Sequence, residues 1–268
     1  MKLLKIVAVV VALAGALPPP AQAASGYDVA DLWWNPSESG WGMQLVQQSS
    51  TVFATIFVYD RFNVPIWYTA TLDFKGLNPT NGPVYSGVLY ETRGPYFATV
   101  PFDPDLVAVV PVGSLTFSSP TTSTGLLTYS VHGVTVTKNV ERQTLVAENF
   151  NGAYTGVYVV TRSSCANPLD NGTQKFLTAF TIVQAGPAMT ISASTTSGAA
   201  VNTCTFNGAY QPTGSIGSFS GSYSCADGEL GTVSFAEMNA QRFAISGRIS
   251  SGRNNYGCNL SGSFAAVQ

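Results

Sequence analysis

From about residue 41 to the end of the chain, short runs of Val, Ile, Thr, Tyr and Phe alternate with clusters of Gly, Pro, Asn, Asp and Ser. The breaks recur roughly every 8 to 12 positions, which predicts an antiparallel sandwich or barrel. Beyond the first 23 residues no stretch holds apolar residues at the helical period. Trp41 to Gln47, Thr51 to Tyr59 and Pro65 to Phe74 read as successive strands of a meander, joined by Gln48-Ser49-Ser50 and by Asp60-Arg61-Phe62-Asn63. In the first of them Trp41, Met43, Leu45 and Gln47 share one face, so Trp41 is expected to point inward. Leu126 to Val131 and Val134 to Val140 flank His132-Gly133. A two-residue link with Gly second predicts a tight hairpin, which makes the single His a turn residue.

The second half carries a sharper pattern. Phe206-Asn207-Gly208-Ala209-Tyr210 repeats Phe150-Asn151-Gly152-Ala153-Tyr154. If the strands holding Cys204 and Cys225 form a hairpin around Gly214 with the cysteines opposed, the same register sets Phe206 against Tyr223, Gly208 against Gly221 and Tyr210 against Phe219. Each pair matches in kind. Alternation then places these residues on the inner face and Thr205, Asn207, Ser220, Ser222 and Ser224 on the outer one. The register favours a Cys204–Cys225 disulfide and leaves Cys165, after the first strand of this half, to meet Cys258 at the head of the last. Such a bond would close the module into a barrel without free edges. Four cysteines allow three pairings, and the sequence leaves all three open.

The start of the chain sets the expected compartment. Lys2 and Lys5 precede an apolar run from Ile6 to Leu17, and Ala21-Gln22-Ala23 is a small-x-small cleavage site, the layout of a secretory signal peptide over residues 1–23. The run is shorter than the roughly 20 residues that span a bilayer, and no later segment is a better candidate. The expectation is an exported protein, periplasmic or extracellular, in which an even cysteine count reads as two disulfides. The mature chain would carry ten basic residues against fourteen acidic ones. With charged residues at 10% of the whole, there is no basic stripe for a nucleic acid. All four Trp lie before residue 147 and all four Cys after it. Two modules are therefore expected, 24–147 and 148–268, each a small antiparallel β-barrel or curved β-sandwich of lipocalin- or avidin-like general architecture, with one continuous sandwich as the alternative. Each has about 120 residues, a common domain size.

Trp33-Trp34-Asn35-Pro36-Ser37-Glu38-Ser39-Gly40-Trp41-Gly42 resembles the opening of a module of exported proteobacterial proteins with a WWNPxESGWG motif. The resemblance continues through Phe53-Ala54-Thr55-Ile56-Phe57-Val58-Tyr59-Asp60, Pro65-Ile66-Trp67-Tyr68, Tyr85 to Tyr90, Gly94-Pro95-Tyr96-Phe97, Pro101-Phe102-Asp103 and Val112-Gly113, and ends at Thr137-Lys138 and Arg142. The turn after Tyr59 lacks the module's usual Gly, and His132 replaces a small acidic turn residue. The resemblance implies an exported β module and brings no activity with it. The second half is placed in no family.

Candidate chemistry is sparse. His132 on a hairpin tip has no orienting carboxylate nearby in sequence, against a Ser-His-Asp arrangement. Glu38 and Asp60 are the pair a glycosidase would need, although acidic residues beside turns commonly serve the turn itself. Gly214-Ser215-Ile216-Gly217 lacks the lysine and helix of a phosphate loop. A zinc site is not expected without a Cys-x-x-Cys pair and with a single His, and no cofactor is implied. Asn171-Gly172-Thr173 and Asn259-Leu260-Ser261 match the glycosylation triplet, which matters only in a host with that machinery. The tryptophans remain. They either plug one end of a barrel, wall a ligand cavity, or anchor a protein contact. Trp33, Trp34, Asn35, Glu38, Trp41, Arg61 and Trp67 are the candidate binding residues. The expected function is an exported non-enzymatic binding protein for a small molecule, glycan or protein. The alternatives are an interaction module such as an inhibitor of an extracellular hydrolase and, third, a carbohydrate-active hydrolase.

Overall fold

A computed structural model describes residues 27–197 and 200–268. The signal peptide reading lies outside the described residues. The chain is all-β and forms two closed eight-stranded antiparallel barrels, each a meander in which every strand pairs with its neighbour in sequence. The first contains β1 (Asp31–Trp34), β2 (Gly42–Gln48), β3 (Thr51–Tyr59), β4 (Pro65–Asn78), β5 (Gly82–Arg93), β6 (Ala108–Ser118), β7 (Thr124–Val131) and β8 (Val134–Arg142). The second contains β9 (Gly152–Ser163), β10 (Gly172–Ala185), β11 (Ala188–Ser197), β12 (Ala200–Thr213), β13 (Ile216–Cys225), β14 (Leu230–Gln241), β15 (Ala244–Ser251) and β16 (Asn259–Val267). No helix among the described residues is long and apolar enough to cross a membrane.

Period-two alternation builds both interiors. In β2 Met43 and Leu45 are buried and Gln44 and Val46 exposed, and in β4 Tyr68, Ala70 and Leu72 are buried between outward-facing neighbours. Trp33, Tyr85, Phe117, Leu115 and Leu127 fill the first barrel, with Trp33 edge-on to Phe117 at 4.8 Å. His132 and Gly133 both have positive φ, the geometry a two-residue hairpin turn demands.

In the second barrel the register runs Cys204↔Cys225, Phe206↔Tyr223, Gly208↔Gly221 and Tyr210↔Phe219, as the sequence predicts. Both disulfides form, Cys204–Cys225 and Cys165–Cys258. The second sits where β9 and β16 pair over nine positions and close the barrel. The aromatic residues of the two Phe-Asn-Gly-Ala-Tyr copies share one core, with Phe150 and Tyr210 5.1 Å apart.

The first barrel closes differently. β1 meets β8 at only two positions, Trp33↔Arg142 and Trp34↔Glu141. What the ladder lacks, Arg142 supplies. Its guanidinium donates to the Thr122 carbonyl at 2.7 Å, to the Ala30 carbonyl at 3.0 Å, to the Asp28 carbonyl, and to Asp31 Oδ2 at 2.9 Å. It also lies 5.0 Å from the centre of the Trp33 ring.

The same carboxylate joins the barrels. Asp31 Oδ2 accepts from the Ser215 backbone N–H at 2.8 Å and its hydroxyl at 2.9 Å, while the Gly214 N–H donates to Thr144 Oγ1 at 2.7 Å. The β12–β13 turn thus docks on the first barrel. Gly214 is required there because its φ is +64° and a Cβ would lie 2.2 Å from Asp31 Oδ2.

Candidate functional site

Strand direction sorts the loops of the first barrel. The segments 35–41, 60–64, 94–107 and the His132-Gly133 turn lie at one end, whereas 49–50, 79–81 and 119–123 lie at the end that carries Asp31 and Arg142. The Trp-rich motif therefore belongs to the distal rim. Its local fold follows from its residues. Asn35 accepts from the Ser37 N–H at 2.9 Å, Pro36 starts a single 3-10 turn over Pro36–Glu38, and Gly40 takes φ +119° to reverse the chain into β2.

That turn carries Glu38 to the barrel mouth. Its carboxylate accepts two hydrogen bonds from Lys138 Nζ on β8, at 2.9 and 2.7 Å, and one from Trp41 Nε1 at 3.0 Å. The ammonium lies 6.0 Å from the centre of the Trp41 ring. The hydrogen bond from Lys138 holds the Glu38 carboxyl below its ordinary value of 4.5, although partial desolvation acts the other way. The pair's contribution is therefore present above that value and lost as pH falls through the depressed one. Burial raises the hydroxyl pKa of Tyr129, with the Glu38 charge adding to it and Lys138 opposing it. Tyr68 is raised by burial and by the carboxylates of Glu91 and Asp60.

The candidate residues divide on this geometry. Glu38, Trp41 and the cap Asn35 form one unit, and Trp34 is half-buried on β1 beside β8. Trp33 is core, 1% exposed, its indole N–H bonded to the Val29 carbonyl. Of the three readings of the tryptophans, barrel plug and cavity wall both fail at Trp67. It is 53% exposed on the outer wall beside Phe57, because inward positions on β4 are the even ones. Trp34, Trp41 and Trp67 therefore do not converge on one cavity. Arg61 is exposed at the β3–β4 turn with its guanidinium over Phe62 at 4.9 Å. Asp60, the second carboxylate of the glycosidase reading, caps that turn by accepting from the Phe62 and Val64 N–H groups.

Sequence reasoning missed two features. Lys138 is the partner of Glu38 from 100 residues away. It was findable as a charge in the inward series Val136, Lys138, Val140, Arg142 of β8. The second feature is the long β5–β6 loop. Phe97 is 86% exposed, Val100 91%, and Tyr96, Phe102 and Leu106 are also exposed. Phe62 on the neighbouring turn adds to them at 68%. Apolar residues set between Gly94-Pro95 and Asp103-Pro104 were the available signal.

No protein-family model and no curated protein matches the chain. Among the described residues no three His, Cys, Asp or Glu side chains gather as metal ligands would. The rim presents exposed apolar side chains on its loops, an internally neutralised ion pair and an aromatic outer wall.

Proposed function

We propose that the chain is an exported, non-enzymatic binding protein whose first barrel engages the surface of another protein through its distal loops. The observation that carries this reading is the set of apolar side chains on the 60–64 and 94–107 loops, with Phe97 and Val100 almost wholly in solvent. Small ligands take concave sites. Projecting aromatic and aliphatic side chains instead serve as anchors that a partner's pockets bury, and exposed apolar patches on soluble proteins mark such contacts. Phe57 and Trp67, paired across β3 and β4, extend the surface down the wall. Export is supported by the signal-like start of the chain and by two disulfides, which persist in oxidising compartments. The resemblance to the WWNPxESGWG module agrees with an exported β module.

An inhibitor of an extracellular hydrolase is the form favoured by a loop that projects as 94–107 does. The hydrolase reading is disfavoured. A glycosidase acid needs a raised pKa, whereas that of Glu38 is lowered and its oxygens are occupied.

The test places a photo-crosslinking phenylalanine analogue at position 97 and, as a control, at Leu177 on the second barrel, which is also exposed. Irradiation in the exported fraction of the source cells is expected to give a discrete adduct from position 97, lost when Phe102 is changed to Ser, and none from 177. Equal labelling from both positions would contradict the proposal.

A further inference from the structure

The mouth of the second barrel that carries both disulfides holds a buried polar cluster which the proposed function does not use. Glu229 is 4% exposed. Its Oε2 accepts from Arg162 Nη2 at 2.8 Å, and its Oε1 accepts from the Tyr223 hydroxyl and from Asn254 Nδ2, both at 2.8 Å. Burial pushes this carboxyl up, but the hydrogen bonds from Arg162 and Tyr223 and the guanidinium charge outweigh it, so its pKa is lowered and it is ionised. Beneath the pair lies a cavity of about 60 Å³, walled by Tyr158, Phe176 and Phe206 among others. Above the pair an open groove of about 480 Å³ has Arg162 and Glu229 in its floor and Asp170, Asn171, Gln174 and Tyr256 around it. That volume falls within the roughly 300 to 1,000 Å³ of small-molecule sites.

The groups left free define the chemistry. Gln174 uses its oxygen to accept from Arg162 Nη1, which leaves its NH₂ as a donor. Asn171 uses its oxygen for the Cys165 N–H, which leaves its NH₂ free as well. Arg162 commits two of five N–H donors to Gln174 and Glu229. Asp170 is exposed and offers acceptors. Tyr256, 46% exposed, presents its ring, since its hydroxyl is tied to the Asp227 carbonyl at 2.8 Å. An anion would face Asp170, Asp227 and Glu229, and a cation would face Arg162 and two amide donors. Hydroxyl groups, each donor and acceptor, satisfy both sets at once. Two features brace the walls. Asn167 caps the 3-10 turn Pro168–Asp170, and the Cys165–Cys258 disulfide ties that loop to the last strand.

We infer that this groove, between the 167–174 segment and Tyr256 over the Arg162–Glu229 pair, is a binding site for a neutral saccharide, its ring face on Tyr256 and its hydroxyls on Asp170, Asn171, Gln174 and Arg162. The test is amide and side-chain NMR of the full-length mature protein titrated with cellobiose, maltose and N,N′-diacetylchitobiose, with acetate and spermidine as charged probes. At least one disaccharide is expected to shift the Asn171 and Gln174 side-chain amides and the Arg162 Nε–H with a Kd on the order of 1 mM. Tyr256→Ala should weaken this about tenfold and Tyr256→Phe by less than about threefold, a gap of roughly 0.7 kcal/mol or more. Phe97→Ser should leave the titration unchanged, which separates this site from the rim of the first barrel. Three silent disaccharides, a titration indifferent to Tyr256→Ala, or a stronger response of the same resonances to acetate or spermidine would each overturn the inference.

Discussion

Arg142→Ala is expected to destabilise the first barrel by about 3 to 5 kcal/mol, the loss that follows when one partner of a buried ion pair is removed. The Arg142 side chain is 1% exposed and that of Asp31 8%. The variant would leave the buried Asp31 carboxylate with the Leu32 N–H and the two donors of Ser215 but no cation, and would strip the Ala30, Asp28 and Thr122 carbonyls of their donor. It also removes the group that compensates for a two-position β1–β8 ladder. Because all four tryptophans belong to the first barrel, urea unfolding followed by tryptophan fluorescence reads this barrel alone. Lys138→Ala, which breaks a pair whose side chains are 31% and 39% exposed, should cost far less, since solvent screens such a pair. Similar losses from the two substitutions would show that Arg142 does not carry the closure.

The second large effect belongs to the disulfides, and their order is the informative part. Cys165–Cys258 joins residues 93 apart and Cys204–Cys225 residues 21 apart. Loop-closure entropy assigns about 4.7 kcal/mol to the first and about 3.4 kcal/mol to the second. The Cys165→Ser/Cys258→Ser variant should therefore be the less stable of the two double variants. It should also open β9 and β16 first, since it frees the junction of the first and last strands. Amide hydrogen exchange of the second-barrel strands measures both. A larger loss from the Cys204→Ser/Cys225→Ser variant would mean that the hairpin bond holds the barrel and the closing bond is secondary.

The fold was legible where the two-residue period acts on large side chains. On β12 and β13 the matched sequence Cys, aromatic, Gly, aromatic admits one register, because a slip of one position would turn every aromatic side chain outward. Closure of the second barrel followed from placing Cys165 and Cys258 at the ends of its outermost strands. The same rule applied to β4 would have placed Trp67 outside, since Tyr68, Ala70 and Leu72 claim the interior. Grouping Trp67 with Trp33, Trp34 and Trp41 as one cluster went by residue kind rather than by parity along the strand. The rim was less legible. Asn35, Glu38 and Trp41 cooperate within one local segment that the sequence displays, but Lys138 and Arg142 become neighbours of β1 and its loop only once the barrel has closed. The exposed residues of 94–107 break the usual burial of Phe and Val, and the turn residues Gly94-Pro95 and Asp103-Pro104 around them mark a loop without saying that its apolar side chains face solvent. In the second barrel, Arg162 stands last in the inward series Tyr154, Tyr158, Val160 of β9. A charge in that place marked a barrel mouth.

Acrylamide quenching of single-tryptophan deletions tests the central claim most directly, namely that the first barrel is filled by its own side chains and recognises its partner from outside. Trp67→Phe is expected to remove most of the quenchable emission, and Trp33→Phe to remove only protected emission, in line with exposures of 53% and 1%. If Trp33→Phe instead abolished the quenchable emission while Trp67→Phe left it intact, the barrel would be open to solvent within, and the case for recognition by its outer surface would fail.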